Sequence, residues 1–483
     1  MASLIDSPHI KEKCQIFTPA DIVAQMLDLA GYGEKLFGKT VLENSCGNGE
    51  FLVQIVERYI ESAIREGVSR KDIQKGLEHD IVAYEIDEEL IGICKVRLDA
   101  VALKYDMLDV DWNICCDNFL AEKVAGQYNY IIGNPPYIAY PDLPENERRE
   151  IRALFSTCKK GKFDYSYAFI EKSFEMLTVG GKLVYIIPSN IFKNVFAEEL
   201  RKLIKNDLKT VIDFPQDQIF SGVLVSPAII LVEKGSSGDR LIYSKTMGKE
   251  TKTELISKER FEGKWIFETV DTLGTRLGEY FKVSNSIATL CNPVFVLKDG
   301  YFDAGYYCIE NDRIETAILR KTTGPKSKRY RKGKEEYIIF PYYYDNDGNL
   351  LHYTEEEMQR LFPCAMQYLE KHRSKLDKRK SDESAEWFEY GRSQALRDAN
   401  RRMIMVSSVI SEDTKAYLLD KGELPYAGLY IIPTGTISLE DILKELNSSA
   451  FKKYISRVGV SVSGSSKRIT TKDIENYVFT SAF

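Results

Sequence analysis

Between Thr40 and about Lys234, short apolar runs alternate with amphipathic stretches. The runs are Thr40–Leu42, Ile81–Ile86, Trp112–Cys116, Tyr128–Ile132, Lys182–Ile187, Thr210–Phe214 and Ala228–Val232. Between two of them Tyr167, Ile170, Phe174 and Leu177 recur at the 3-4-3 spacing of one helix face. Strands that alternate with helices predict an α/β fold, a mostly parallel, doubly wound sheet of seven strands. Arg240–Ser244 predicts one more strand, and Gly235-Ser236-Ser237-Gly238 before it predicts a hairpin turn. Beyond about Trp265 the alternation stops, Tyr, Gly and charged residues multiply, and turn signals such as Lys332-Gly333 and Asp347-Gly348 appear. Two domains are expected, an α/β domain over 1–262 and an α+β domain with irregular loops over 263–483.

Composition changes this picture little. A chain of 483 residues with 44% hydrophobic and 29% charged residues suits two globular cores. No apolar run approaches a membrane span, and the first fifteen residues lack a signal peptide's apolar core, so a cytoplasmic location and no membrane partner are expected. The nine cysteines include no Cys-x-x-Cys pair and the four histidines are dispersed, so no metal is expected. The net charge of −6 argues mildly against a nucleic-acid partner, but phosphate binding depends on local charge. Lys326, Lys328, Arg329, Arg331 and Lys332 lie in an acid-free stretch, and Lys371, Arg373, Lys375, Lys378, Arg379 and Lys380 form a second basic cluster. Each suits a solvated face as well as a phosphate-binding groove.

The strand ends carry the chemistry. Glu43-Asn44-Ser45-Cys46-Gly47-Asn48-Gly49 leads from the first strand into a helix from about Glu50, and its glycines let backbone approach a ligand at the sheet's carboxyl edge. Leu52 stands where a dinucleotide fingerprint needs a small residue, and the Lys-Ser/Thr of a phosphate-binding loop is missing. The second strand ends in Glu85-Ile86, suited to ribose hydroxyls, and the third in Asp117-Asn118, suited to an adenine amino group. Each acid alone could cap a helix. Three at one edge suit a cationic ligand bearing ribose and adenine, which describes S-adenosylmethionine.

The fourth strand runs through Gly133 into Asn134-Pro135-Pro136-Tyr137. An aromatic amine is a poor nucleophile because its lone pair is delocalised. Two acceptors on its hydrogens, the Asn134 side-chain oxygen and the Pro135 carbonyl, would favour a pyramidal nitrogen. The prolines stiffen the turn, and Tyr137 offers a flat face for a base. A nucleophilic Cys after proline, as attack at cytosine carbon requires, is missing from this strand end. The sole Pro-Cys dipeptide, Pro363-Cys364, falls in the second half, in a stretch that reads as helix.

These segments, in this order, resemble the gamma-class adenine-N6 DNA methyltransferases of bacterial restriction–modification systems, the TaqI-like group. The resemblance implies a seven-stranded methyltransferase (Rossmann-like) domain and an α+β target-recognition domain. It implies cofactor contacts from Thr18, Pro19, Glu43, Ser45, Cys46, Gly47, Gly49, Glu85, Ile86, Asp117, Asn118 and Pro136. The family often has Phe where Asn118 stands. It implies that Phe220, in Phe220-Ser221-Gly222-Val223, packs on an adenine flipped out of the duplex, opposite Tyr137, with Phe192 as fallback. Ser284–Leu290, Tyr390–Gln394 (with Arg392 as a DNA contact) and Gly459–Arg468 resemble segments of the recognition domain. Double-stranded DNA is the expected partner, bound by a monomer in the bacterial nucleoid, with room for a separate cognate restriction endonuclease. Two other readings stay open: an RNA or release-factor glutamine methyltransferase, and a DNA-binding specificity subunit with an inactive methyltransferase half.

Overall fold

A computed structural model describes residues 17–121, 126–215, 219, 226–248, 250–269, 274–330, 334–463 and 466–479. The chain divides into two compact units, Met1–Phe267 and Glu268–Phe483. In the first unit nine strands form one sheet: β1 (Val41–Glu43), β2 (Ile81–Glu85), β3 (Ile114–Cys116), β4 (Tyr128–Gly133), β5 (Leu177–Pro188), β6 (Leu208–Asp213), β7 (Pro227–Glu233), β8 (Arg240–Met247) and β9 (Glu250–Ser257). Their spatial order is β3-β2-β1-β4-β5-β7-β6-β8-β9. The first five are mutually parallel, and β7 runs antiparallel between β5 and β6. Every residue of β7 but the last is buried, as an apolar run covered on both faces should be.

All seven expected strands and the eighth are present, and two differences from the expectation stand out. The sheet has nine strands rather than seven, because β8 pairs with β6 and β9 closes the edge. The polar sequence of β9, Glu-Thr-Lys-Thr-Glu-Leu-Ile-Ser, carries no strand signal and suits a charged, exposed edge. Gly235–Gly238 is a crossover rather than a hairpin turn, since β6 lies between β7 and β8.

Alternate residues of the strands feed two cores. Leu42, Ile131 and Leu183 face the helices Glu145–Leu154, Ser166–Glu175 and Glu198–Ile204, and Val41, Ile132 and Val184 face Ala20–Ala30, Glu50–Arg65 and Glu88–Leu103. The helix Glu50–Arg65 shows why: Phe51, Leu52, Ile55, Val56, Tyr59, Ile60 and Ala63 make one buried stripe. The result is a doubly wound three-layer α/β fold.

The first unit extends to Phe267 and not to 262, because three aromatics of its last stretch belong to its core. Phe261 stacks on Trp265 at 5.2 Å, Phe267 stacks on Tyr243 at 4.5 Å, and Phe192 packs against both Trp265 and Phe267. Arg201, buried, donates to the carbonyls of Gly263, Ile191 and Asn194 and pins the segment. Burial lowers its pKa to about 10.

The second unit is α+β. One four-stranded sheet orders Phe281–Asn285, Leu429–Pro433, Met403–Val406 and Tyr417–Leu419, and a second joins Val296–Lys298, Glu336–Ile339, Leu319–Thr323 and Leu424–Pro425. Two segments far apart in sequence, Ser284–Leu290 and Tyr390–Gln394, meet here. Gly391 donates to the Thr289 carbonyl at 3.2 Å and Arg392 to that of Ala288 at 3.1 Å. Pro363 opens a helix whose first amides, Cys364 and Ala365, are capped by the Glu315 carboxylate, so Pro363-Cys364 is structural.

Trp265, 2% exposed, should be the anchor of the first unit's end. Trp265→Ala is expected to cost about 3–5 kcal/mol, read as a lower urea midpoint for the first unit. An unchanged midpoint would place the segment outside that core.

Candidate active site

The strand order reverses between β1 and β4, and there the carboxyl-end loops diverge and leave a crevice. The loop after β1 is a tight turn, closed by Gly49 donating to the Cys46 carbonyl at 2.8 Å and tied to β2 by Cys46 donating to Tyr84 O. Gly49 sits at φ +89°, and a Cβ there would meet Cys94 Sγ at 2.6 Å, so both conformation and packing demand glycine. A cleft open to solvent fills the crevice. Of the expected cofactor contacts, Thr18, Glu43, Ser45, Cys46, Gly47, Glu85, Ile86, Asp117, Asn118 and Pro136 line it. Pro19 and Gly49 do not: they precede the helices Ala20–Ala30 and Glu50–Arg65.

The acids at the cleft differ sharply. Glu50 pairs with Arg97 at 2.9 Å. Glu85 accepts backbone N–H groups from Gly47, Ile86 and Asp87 at 2.8–3.0 Å, although burial still raises its pKa. Asp117 is exposed and accepts from the Asn118 amide. Glu43 is 1% exposed, and its Oε2 has no hydrogen-bond partner. Burial first, then the proximity of Cys94, Glu85 and Glu50, pushes its carboxyl well above the usual range. A buried acceptor of this kind calls for a ligand that brings a positive charge or an N–H.

Of Asn134-Pro135-Pro136-Tyr137, Asn134 and Pro136 line the cleft, and Pro135 and Tyr137 do not. Ser45 Oγ donates to the Asn134 carbonyl at 3.0 Å, so the β1 loop and the β4 turn are held together by a residue expected only as a ligand contact. The Asn134 amide nitrogen donates to Thr18 Oγ1 at 3.2 Å. Tyr137 donates its hydroxyl to the Ile186 carbonyl and keeps a half-buried ring. Beneath them Asn44, Ser173 and Tyr185 form a buried polar knot that fixes the end of β1.

Several cleft residues had no sequence signal. Phe119, Ile138, Tyr165 and Phe169 supply an apolar wall. Phe119 supplies the aromatic ring absent at Asn118, one residue along, packed at 5.5 Å from Phe169. Tyr165 and Phe169 are not among the residues of the predicted helix face, and it is the packing that brings them to the cleft. Phe192, the fallback for base stacking, is 2% exposed inside the Trp265 cluster and cannot face a base. Phe220, Arg331 and Lys332 lie outside the described residues. In the second unit Lys328 pairs with Glu423 at 3.0 Å, Arg329 with Asp413 at 2.9 Å and Arg392 with Asp382 at 2.8 Å, while Lys326 is exposed. Arg379 of the second basic cluster is structural, donating to the carbonyls of Thr289, Glu389 and Trp387.

A loop-bound cleft at this switch point, with a buried carboxylate oxygen that lacks a partner beside an Asn-Pro-Pro-Tyr turn, is the setting in which the likeness to known proteins acquires meaning. Residues 55–220 match the Eco57I restriction-modification methylase family. The chain is 26% identical over 335 residues to the Type II restriction enzyme and methyltransferase RM.Eco57I of Escherichia coli, which is 61% of this chain and 33% of that protein. It is 31% identical over 231 residues to the Type II methyltransferase M.HincII of Haemophilus influenzae, 47% of this chain and 38% of the relative. The chain thus covers less than half the length of these curated relatives. Among solved structures, the Type IIL restriction-modification enzyme MmeI in complex with DNA matches with a TM-score of 0.54 at 14% identity, over 95% of this chain and 64% of that one. The DrdV–DNA complex matches with a TM-score of 0.52 at 13% identity, over 94% of this chain and 53% of the other. At these identities the likeness establishes the fold.

A raised carboxyl pKa makes Glu43 a stability liability. Folding disfavours its ionised form, so the penalty is absent below the unfolded carboxylate pKa, near 4.3, and grows as pH rises toward the folded value. Glu43→Gln should therefore raise the ligand-free Tm at neutral pH by about 2–4 °C, as for roughly 1 kcal/mol. The gain should vanish at about pH 4. A Tm that is equal or lower at neutral pH would show that the carboxylate is stabilised.

Proposed function

We propose that this chain is a site-specific, adenine-specific DNA methyltransferase that uses S-adenosylmethionine and methylates the N6 amine of an adenine extruded from the duplex. The observation that carries the reading is one cleft in which the orphaned Glu43 carboxylate faces the Asn134–Tyr137 turn. The residues fit this cofactor. Glu43 answers its positive charge, Glu85 its ribose hydroxyls, Asp117 its amino group, and Phe119, Ile138 and Phe169 its flat ring. When bound, the cofactor supplies an electrophilic methyl group on a sulfonium.

The chain's own part is positioning and electrostatics. Asn134 Oδ1 and the Pro135 carbonyl accept the two hydrogens of the target amine and localise its lone pair. Thr18 holds the Asn134 amide by its nitrogen, and Ser45 holds the same residue by its carbonyl, so the acceptor is ordered before the substrate arrives. The hydroxyl of Tyr137, tied to Ile186, fixes the ring that stacks on the base, with Phe220 on the other side. No nucleophilic side chain is needed, since nitrogen attacks the methyl carbon in line. The amine then sheds a proton, which Asn134 and Pro135 orient toward solvent.

DNA as the carrier of the amine rests on the relatives: the matching solved proteins MmeI and DrdV are DNA complexes, and the curated ones are named Type II methyltransferases. The role that follows is protection of a recognition sequence against a restriction activity, with the chain working as a monomer in the bacterial cytoplasm beside a cognate endonuclease.

Asn134→Ala should retain S-adenosylmethionine affinity within about twofold and lose roughly 100-fold or more in single-turnover methyl transfer, the cost typical of a missing polar catalytic contact. Transfer at an undiminished rate would reject the mechanism. Glu43→Gln should weaken cofactor binding by about tenfold or more, as for a lost charged hydrogen bond, and flatten its rise with pH. Calorimetry across pH 5–8 reads both effects; an unchanged affinity would remove Glu43 from the cofactor site.

A further inference from the structure

The lysines around Gly161 differ from most of the described basic residues between Arg320 and Lys334. Much of the basic stretch in the second unit is neutralised: Lys321, Lys328, Arg329 and Lys334 each have an acid partner. On the first unit Arg58, Arg97, Lys104 and Lys202 are likewise paired. Lys159, Lys160 and Lys162 are exposed, and among the described residues none of them makes an ion pair. No acid occurs from Phe155 to Phe163.

Their backbone is held firmly. The Glu171 carboxylate accepts the amides of Ser156 and Thr157 at 2.8 Å each and fixes the entry to the turn. Arg152 donates to the Gly161 carbonyl at 2.7 Å. Gly161 sits at φ +71°, with Phe196 packed where a Cβ would be. The exit is fixed by Phe163, which packs edge-on to Tyr140 at 5.3 Å. Exposed lysines on a pinned turn lose less backbone freedom on meeting a partner than lysines on a loose loop.

The turn also lies beside the catalytic lip. Tyr165 donates to the Ile138 carbonyl at 3.0 Å, and Asp164 bridges Ala139. Lys162 is two residues from Asp164, and Ala139 is two residues from Tyr137. At about 3.3 Å per residue and about 5 Å across the bridge, the two Cα atoms lie within roughly 19 Å. A duplex rises about 3.4 Å per base pair, so a phosphate within about five nucleotides of the extruded base comes within reach of these ammonium groups.

We propose that Lys159, Lys160 and Lys162 form a phosphate-binding site on the catalytic unit, which holds the DNA backbone next to the extruded adenine. This rests on the reading of the chain as a DNA methyltransferase. The site binds without regard to sequence, which separates it from base reading by the second unit. It places the backbone of the target strand against the same unit that holds the cofactor, so the strand is braced at the flank of the extruded base.

The test uses the full chain and a mixed-sequence duplex, with affinity measured by fluorescence anisotropy over a range of salt concentrations. The triple variant K159Q/K160Q/K162Q should lower the magnitude of the slope of log K against log salt by about 2–3, at about 0.9 per lost phosphate contact, and weaken binding at least tenfold at low salt. The triple Lys→Arg variant should restore both. Thermal midpoint and S-adenosylmethionine affinity should match the parent protein in both variants. A parent protein with a steep slope and a Gln variant with the same slope and affinity would overturn the phosphate site while leaving the methyltransferase reading intact. A parent protein that shows no salt-dependent duplex binding would overturn that reading and the site together.

Discussion

A carboxylate buried at the end of β1, without an ion-pair partner among the described residues, sets the terms for the rest of the first unit. Glu43 can be tolerated there only because the sheet around it is closely held: β1 is flanked by β2 and β4 in parallel register, and its following residue is tied into the Asn44–Ser173–Tyr185 knot. Gly133 lies against the same acid: a Cβ at that position would be in ordinary contact with the Glu43 side chain, at 3.5 Å. The two loops that form the cleft are therefore one construction. Ser45 joins them by a single hydrogen bond to the backbone of the catalytic turn.

This arrangement explains why cofactor and substrate amine would meet in one place. The sheet order reverses between β1 and β4, so the loops on either side of the reversal leave in opposite directions and leave a crevice open. Asn134 and Pro136 line the cleft on one side and Glu43 on the other. Free energy that folding loses in burying Glu43 is of the kind a cationic ligand would return on binding, a trade between stability and function familiar at binding sites.

The charge distribution follows a similar logic. Basic residues that are conspicuous in the sequence are largely spent on local acids, as with Arg329 and Asp413, or on backbone carbonyls, as with Arg379. Surface pairs of this kind contribute little to stability, yet they lower the local field a phosphate would meet. The lysines that remain unpaired beside the Asn134–Tyr137 turn are few and are separated only by a glycine.

The sequence by itself determined the strands, the glycine loop, the three acidic strand ends and the Asn-Pro-Pro-Tyr turn. Period, turn chemistry and residue type act over a few neighbours, and a parallel sheet brings its strand ends to one edge wherever its helices pack. Only the tertiary structure decided which acid stays unsatisfied, since Glu43, Glu50 and Glu85 differ in what lies around them and not in their own chemistry. It also decided that Phe119, Tyr165 and Phe169 face the cleft, that Phe192 is core, and that β9 extends the sheet. These are facts of long-range contact: a buried aromatic and a ligand-facing one have the same periodicity, and a polar edge strand is specified by its partner.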